Sequence, residues 1–445
     1  MQKVKYRIYG GNKISGIINC AGAKNLATKI LVFIALTEKI ILIENIPEIK
    51  EINITIKLLL KIGIIVLVKK KKVILYAKKI IKSRVLNENT YINRITIFLL
   101  NILLKNNKIG YIPKVVGDKI GSRKINYHIT AICKYGGEFY ETKNEYISLK
   151  NNKLFSSNVF LEYPSVGATE NCLFLSILSK GISMINNIAI EPEVIEFISM
   201  LAKIGTVVLF FSNRKVIVKK VSNIEKINLK IFGDRIEAIS WFSISYILKG
   251  ELEILSIKRY IIENFLSCIE KIGCQIYSYN NNYTCINYKK RPIKVETSFY
   301  PGFSTDFQQI ICIILTKLNG ISVIHETVYE KRFKYIDILK KIGIKIKILK
   351  LCIKKDKIQC RYKSRELHSI IIYGQSSLHI SRIVTKVKDL RGGISYLINS
   401  IMLKNKSKLN NAEEIERGYG NLIKKLINTN IKIKRINIKK FMFRL

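Results

Sequence analysis

Apolar residues recur at three- and four-residue intervals through "EVIEFISMLAKIG", Glu193 to Gly205. That spacing predicts a one-faced helix. Gly205 then supplies the left-handed turn that closes it. The next residues, "TVVLFFSNRKVIVKK", read as two strands around an "SNR" turn. The same passage from helix to strand returns along the chain. It appears as "LLLKIGIIVLV" (Gly63), "AICKYGGEFYE" (Gly136), "CIEKIGCQIYS" (Gly273) and "ILKKIGIKIKI" (Gly343). A weaker copy, "LIKKLINTNIKIK", is read with Asn428 in place of the glycine. Six copies at intervals of roughly 70 residues signal a repeated unit of several helices and strands, too long for a solenoid. Two pseudo-symmetric lobes of three units each, with a cleft between them, follow as the expected architecture.

A polar loop precedes each of these helices: "NIPEIKEIN", "IGSRKINYH", "IEPEVIE", "SIKRYIIEN", "YEKRFKYID" and "EEIERGYGN". Helix N-termini present unpaired N–H groups and a positive dipole end, which suit anions. Arginines in several of the loops add bidentate grips for carboxylate or phosphate. Six such loops facing one cleft would make a site for a heavily anionic substrate.

Composition refines this picture by exclusion. The 445 residues carry a formal net charge of +45. A nucleic-acid partner is nevertheless not expected. The lysines are scattered, "VKKKKV" is the single dense run, and the aromatics form no platform among arginines. Nine cysteines (Cys20, Cys133, Cys172, Cys268, Cys274, Cys285, Cys312, Cys352 and Cys360) form no CxxC pair. Reduced thiols in a cytoplasmic protein are the expectation, with no structural zinc among the four scattered histidines. No signal peptide or membrane span is read, and apolar runs such as "IICIILTKL" are short and broken by lysine.

Three further stretches carry candidate chemistry. "CAGAKNLATKILVFIAL" starts an apolar helix near Lys24, which serves either as a phosphate ligand or as a plain surface lysine. "YPSVGATENCLFL" is a glycine-containing loop before another helix. "FYPGFSTDFQQIICIIL" places Asp306 at the head of a third, where Ser304, Thr305 and Asp306 also fit a capping role.

In order along the chain, "GAKN", "SVGATEN", "EPEV", "GDRIE", "STDFQ", "ETVYEKRF", "DLRGG" and "ERGYG" resemble the bacterial enolpyruvyl transferases. The resemblance runs from "YGGNKISGIINCAGAKNLA" to "IERGYGNLIKKL" and is weakest between residues 345 and 383. It implies an α/β (α+β) fold of two lobes, each of three βαβαββ repeats, an inside-out α/β barrel with the active site in the inter-lobe cleft. Residues 23–232 would form one lobe with the Asp118 loop. Residues 1–22 and 233–445 would form the other, with Asp306. The implied activity is transfer of the enolpyruvyl group of phosphoenolpyruvate to the 3-hydroxyl of UDP-N-acetylglucosamine, which commits sugar to peptidoglycan and so serves cell wall biogenesis and division. The shikimate 3-phosphate branch and a decayed homologue are the alternatives. No cofactor or metal is implied, and a monomer fits.

The resemblance also implies roles for residues. Lys24, Asn25, Arg123, Arg332, Arg391 and Arg417 would surround phosphoenolpyruvate. Arg94, Arg123, Lys124, Ile125, Asn126, Tyr127, Ser165, Val166, Gly167, Asp306 and Val328 would meet the nucleotide sugar. Asp306 would act on the attacking hydroxyl, and Asp118 would protonate the methylene. Asp118 stands where most of the family has the cysteine that fosfomycin alkylates, so intrinsic resistance is expected. "RKINY" and Tyr163 depart from the family's usual loop and lysine.

Overall fold

The computed structural model describes residues 3–37, 40–76, 82–85, 94–115, 120–121, 125–150, 153–220, 227–279, 282–287, 291–350, 352, 366–375 and 382–438. The chain divides into two compact units. One comprises Met1–Ala21, Asp118–Ser122 and Gly233–Leu445, the other Gly22–Gly117 and Arg123–Phe232. The sequence reading kept the whole of 23–232 in one lobe. Ile120 and Gly121 instead group with the first unit, because the Ile120 carbonyl accepts the Lys331 N–H at 3.0 Å.

The repeat is explicit in the sheets. Strand Asn158–Phe160, helix Val166–Leu178 and strand Ile182–Asn186 form a parallel βαβ step. Helix Pro192–Lys203 and the hairpin Thr206–Phe211/Lys215–Lys220 complete the unit. The last strand returns antiparallel to Ile182–Asn186. The same order is met in Lys294–Glu296, Gln308–Leu315, Ile321–His325, Ile336–Lys341, Ile346–Leu349 and Ser369–Tyr373. Two copies borrow their first strand from afar. Ile227–Lys230 lies parallel to Ile40–Glu44, and Ser15–Asn19 lies parallel to Glu251–Leu255. These exchanges tie distant chain segments into each unit.

Helix ends follow the glycine rule. Gly63, Gly136, Gly205, Gly273 and Gly343 all have φ between 83° and 100°. The closing 6→1 bond recurs from Ile64 to Leu59, Gly137 to Ile132 and Ile344 to Leu339. The sixth copy requires a correction. Asn428 is the last helical residue, and Asn430, with φ 67°, takes the glycine's place. Ile431 donates to Leu426 there, as in the other copies. Asparagine tolerates this conformation better than most residues with a side chain.

Each unit is built around helices buried on nearly every side. Leu26, Ala27, Ile30, Leu31, Val32, Phe33 and Ile34 of Lys24–Ile34 are all buried, as is almost all of Val166–Leu178. Phe33, Phe174 and Phe197 cluster at their contact, with centroids 5.4–5.8 Å apart. In the other unit, Arg235–Leu248, Gln308–Leu315 and Leu390–Met402 play the same part. The amphipathic helices before the hairpins bury one face only, as Pro192–Lys203 does through Val194, Phe197, Ile198 and Leu201. Among the described residues no helix is long and apolar enough to cross a membrane. The expectation of reduced thiols is corrected at one position. Cys274 is disulfide-bonded, while Cys20, Cys133, Cys172, Cys268, Cys312 and Cys352 are free. Spacing in the sequence does not show a pairing that the folded chain creates.

Candidate active site

Asp306 is the centre of the polar group in the first unit. It lies in a 3-10 turn, Thr305–Phe307, that runs into the buried helix Gln308–Leu315. Ser304 caps this turn, its Oγ accepting the Asp306 N–H at 3.3 Å. The two readings of this stretch therefore separate. Ser304 caps the backbone, and the Asp306 carboxylate is left for other cations. Its Oδ1 accepts from Arg332 Nη2 at 2.5 Å and its Oδ2 from Arg391 Nη2 at 3.2 Å. The Arg332 side chain is 2% exposed and that of Arg391 7%. Two guanidiniums are thus held almost out of water by one carboxylate. Burial alone would weaken the Arg391 charge, but Asp306, Tyr419 and Asp234 overcome it and raise its pKa.

Local sequence explains how the cations are placed. Asp389 caps Leu390–Met402 by accepting the Gly392 N–H at 2.8 Å, which sets Arg391 in the first turn. Asp234 caps Arg235–Leu248 through the amides of Ile236 and Glu237. The buried Arg235 guanidinium lies 5.2 Å from the centroid of Phe307, the neighbour of Asp306. Arg417 is buried as well and pairs with Glu414 at 2.8 Å.

Glu326, which the sequence reading passed over, organises the rest. It is fully buried. Oε2 accepts from Thr305 Oγ1 at 2.9 Å and Gln308 Nε2 at 3.0 Å, and Oε1 from the amides of Val328 and Tyr329 at 2.8 and 3.0 Å. One carboxylate thereby fixes the Asp306 turn against the loop that carries Val328 and leads to Arg332. Burial pushes its pKa up, while Arg332, the two amides and Thr305 pull it back. Its position at the head of "ETVYEKRF" was visible, but a glutamate in a charged run reads as solvated.

The second unit holds the other candidates. Lys24 opens helix Lys24–Ile34, and its Nζ lies 3.2 Å from Glu51. Asn25 beside it is partly exposed. "SVGATEN" resolves residue by residue into supports. Ser165 caps Val166–Leu178 by accepting the Ala168 N–H. A side chain at Gly167 would come within 3.2 Å of His128 Nε2, so only glycine fits there without displacing the ring. Thr169 Oγ1 accepts the Ala189 N–H, and Asn171 Oδ1 accepts from Asn101. Glu170 pairs with Lys29 at 2.6 Å. Burial raises the Glu170 pKa to about 7 against the pull of Lys29. His128 is driven the other way, to about 3, by burial and then by Arg94 and Lys29. It is a neutral ring at any working pH.

Ile125 is buried at the start of helix Asn126–Lys134, where its carbonyl accepts the His128 and Ile129 amides. Asn126 is exposed, and Tyr127 packs against the core. Val166 and Val328 are partly buried. Asp118, Arg123 and Lys124 lie outside the described residues. The structure thus joins Asp306, Arg332 and Arg391 directly, and places Lys24, Arg94 and Ser165–Gly167 in the other unit.

A family model, EPSP synthase (3-phosphoshikimate 1-carboxyvinyltransferase), matches residues 8–426. The chain belongs to the EPSP synthase family. Within it, this family member is 32% identical to the UDP-N-acetylglucosamine 1-carboxyvinyltransferase of Protochlamydia amoebophila (strain UWE25), over 94% of this chain and 92% of that one. It is 31% identical to the enzyme of the same name from Chlamydia muridarum (strain MoPn / Nigg), with 93% and 94% covered. Among solved structures it is similar to the enolpyruvyl transferase NikO from Streptomyces tendae. That similarity has a TM-score of 0.85 at 16% identity and covers 99% of this chain and all of the other. EPSP synthase from Acinetobacter baumannii gives a TM-score of 0.70 at 14% identity, over 98% of this chain and all of that one. The chain thus shares its mixed α/β fold with these enolpyruvyl transferases, as expected.

Proposed function

We propose that this chain transfers the enolpyruvyl group of phosphoenolpyruvate to the 3-hydroxyl of UDP-N-acetylglucosamine and releases phosphate. The observation that carries the acceptor is the identity of 31–32%, over more than nine-tenths of the chain, to enzymes named for that acceptor. The Asp306–Arg332–Arg391 group supports the chemistry. A carboxylate fixed by two buried guanidiniums is oriented to take the hydroxyl proton as oxygen attacks C2 of phosphoenolpyruvate. Arg332, Arg391 and Arg417 offset charge on the substrate's phosphate and carboxylate, together with Lys24 and Asn25. Asp118 gives a proton to C3, producing a tetrahedral phospholactoyl adduct. Loss of a C3 proton and departure of phosphate yield the enolpyruvyl ether. Arg123 joins the cations on phosphoenolpyruvate. Arg94, Lys124, Ile125, Asn126, Tyr127, Ser165, Val166, Gly167 and Val328 serve the nucleotide sugar.

In this reading the protein works in the cytoplasm at the entry to peptidoglycan synthesis, and its role in cell shape and division follows from that product. The test is phosphate release from phosphoenolpyruvate with UDP-N-acetylglucosamine or shikimate 3-phosphate as acceptor. Release with the nucleotide sugar alone is expected. Release with the shikimate ester alone would replace the acceptor, and release with neither from folded protein would mark a decayed homologue. Asp118 in place of a thiol makes fosfomycin ineffective. After prolonged incubation the protein is expected to keep its mass and its activity, and an adduct on Asp118 would refute this.

A further inference from the structure

At one end of the sheet that contains Ile321–His325, three side chains with metal-ligand chemistry converge. His325 ends its strand, and His368 immediately precedes the paired strand Ser369–Tyr373. Cys352 follows the third strand, Ile346–Leu349. One ligand atom from each lies within 4.8 Å of the others. The Cys352 thiol is free, and its Sγ stands 3.2 Å from His368 Nε2. Both histidines are buried and their rings are 5.2 Å apart.

We propose that His325, Cys352 and His368 form a binding site for a zinc-type divalent ion. The second observation is the engagement of the rings' other nitrogens. His325 Nδ1 lies 3.2 Å from Glu296 Oε2, and His368 Nδ1 lies 2.5 Å from the Glu366 carbonyl oxygen. A carboxylate or backbone carbonyl on the far nitrogen is how proteins fix the tautomer and direction of a metal-bound imidazole. With Nδ1 so held on both rings, Nε2 is the coordinating atom. Tetrahedral zinc with one sulfur and two nitrogens needs donor atoms roughly 3.3–3.6 Å apart. The Cys352–His368 spacing, 3.2 Å, is just short of that range, and the third donor lies within 4.8 Å of both. Thiolate with imidazole selects zinc over magnesium or calcium. Binding releases the Cys352 thiol proton to solvent.

The site adjoins the candidate active site through the backbone. His325 precedes Glu326, whose N–H donates to the His368 carbonyl at 2.7 Å. An ion there would hold the sheet end from which Glu326 reaches Thr305, Val328 and Tyr329.

The test uses the full chain, reduced, stripped with a chelator and titrated with Co2+ and then Zn2+. One equivalent is expected to remain after desalting, and the cobalt form is expected to show a thiolate-to-metal charge-transfer band. Cys352→Ser is expected to abolish the band, and Glu296→Gln to weaken zinc binding by about 10- to 100-fold. Glu296→Gln leaves all three ligands in place, so it reads only the carboxylate's hold on His325 Nδ1. Absence of a retained equivalent in folded protein overturns the proposal. So does a cobalt band that survives in Cys352→Ser, since another cysteine would then be the ligand. Neither readout depends on turnover, so failure here leaves the proposed reaction untouched.

Discussion

Replacing Asp306 with asparagine keeps the shape of the side chain and removes the single negative charge shared by Arg332 and Arg391. Removing one partner of a buried ion pair costs about 3–5 kcal/mol, because the remaining charge is left in a poorly solvated place. Both arginines are more than nine-tenths buried, but the Asp306 side chain is 30% exposed, so water softens the penalty from its side. An amide also presents N–H donors to two donors. A loss of about 2–3 kcal/mol is expected on this basis. For a unit of roughly 200 residues, each kcal/mol lowers Tm by about 2–4 °C. Asp306→Asn should therefore melt about 5–10 °C below the parent in a chloride buffer. The informative second axis is inorganic phosphate, added at constant ionic strength so that screening is matched. In the parent, phosphate competes with Asp306 for the guanidiniums. In the variant it has no rival and offsets the missing charge. The gap in Tm should narrow as phosphate rises, since a ligand that binds only the folded state stabilises in proportion to ln(1 + [L]/Kd). Turnover should fall by about 100- to 10,000-fold with no recovery, as the proposed general-base role of Asp306 predicts. A variant with the parent's Tm, or with a gap that phosphate does not change, would refute the view that Asp306 neutralises these arginines.

Two further outcomes concern the second unit. Glu170 has its pKa raised from 4.5 to about 7 in the folded protein, so the native state holds a proton that the unfolded chain has released. The stability it contributes is full below about pH 4.5 and is lost as pH rises through about 7, by no more than about 3 kcal/mol. Urea midpoints at pH 5 and pH 8 should drop more for the parent than for Glu170→Gln, and equal drops would reject the assignment. Ser165→Ala removes the cap of Val166–Leu178 and should cost about 1 kcal/mol in urea denaturation, with a matching rise in KM if that helix start serves the nucleotide sugar. An unchanged KM would confine Ser165 to stability.

The parts of this fold that could be read from sequence are those written in local spacing. Each hairpin follows its glycine because Ile64, Gly137 and Ile344 donate back across a helix end only five residues away. The sixth copy was misplaced by two residues for the same local reason. "INTNI" offers two asparagines, and only backbone geometry shows that the helix runs through Asn428 and turns at Asn430. The loss is greater where function depends on partners that are far apart in sequence. Glu326 answers to Thr305 and Gln308, and Glu170 to Lys29. A lone glutamate in either motif carries no mark of burial. The same logic explains why scattered histidines suggested no metal site. Metal-binding spacings in sequence arise when ligands share one turn or one helix. His325, Cys352 and His368 come instead from the ends of three strands, and His325 becomes a neighbour of the others through the antiparallel register that sets it opposite Ser369. The strands are short and strongly patterned, so that register was predictable in principle. Its chemical consequence was not, because Cys352 and His368 lie just outside the paired strands, where pattern does not say which side chains meet. Motif order therefore points to the arginines that meet Asp306 in the fold, and it is uninformative about any site assembled across a sheet edge.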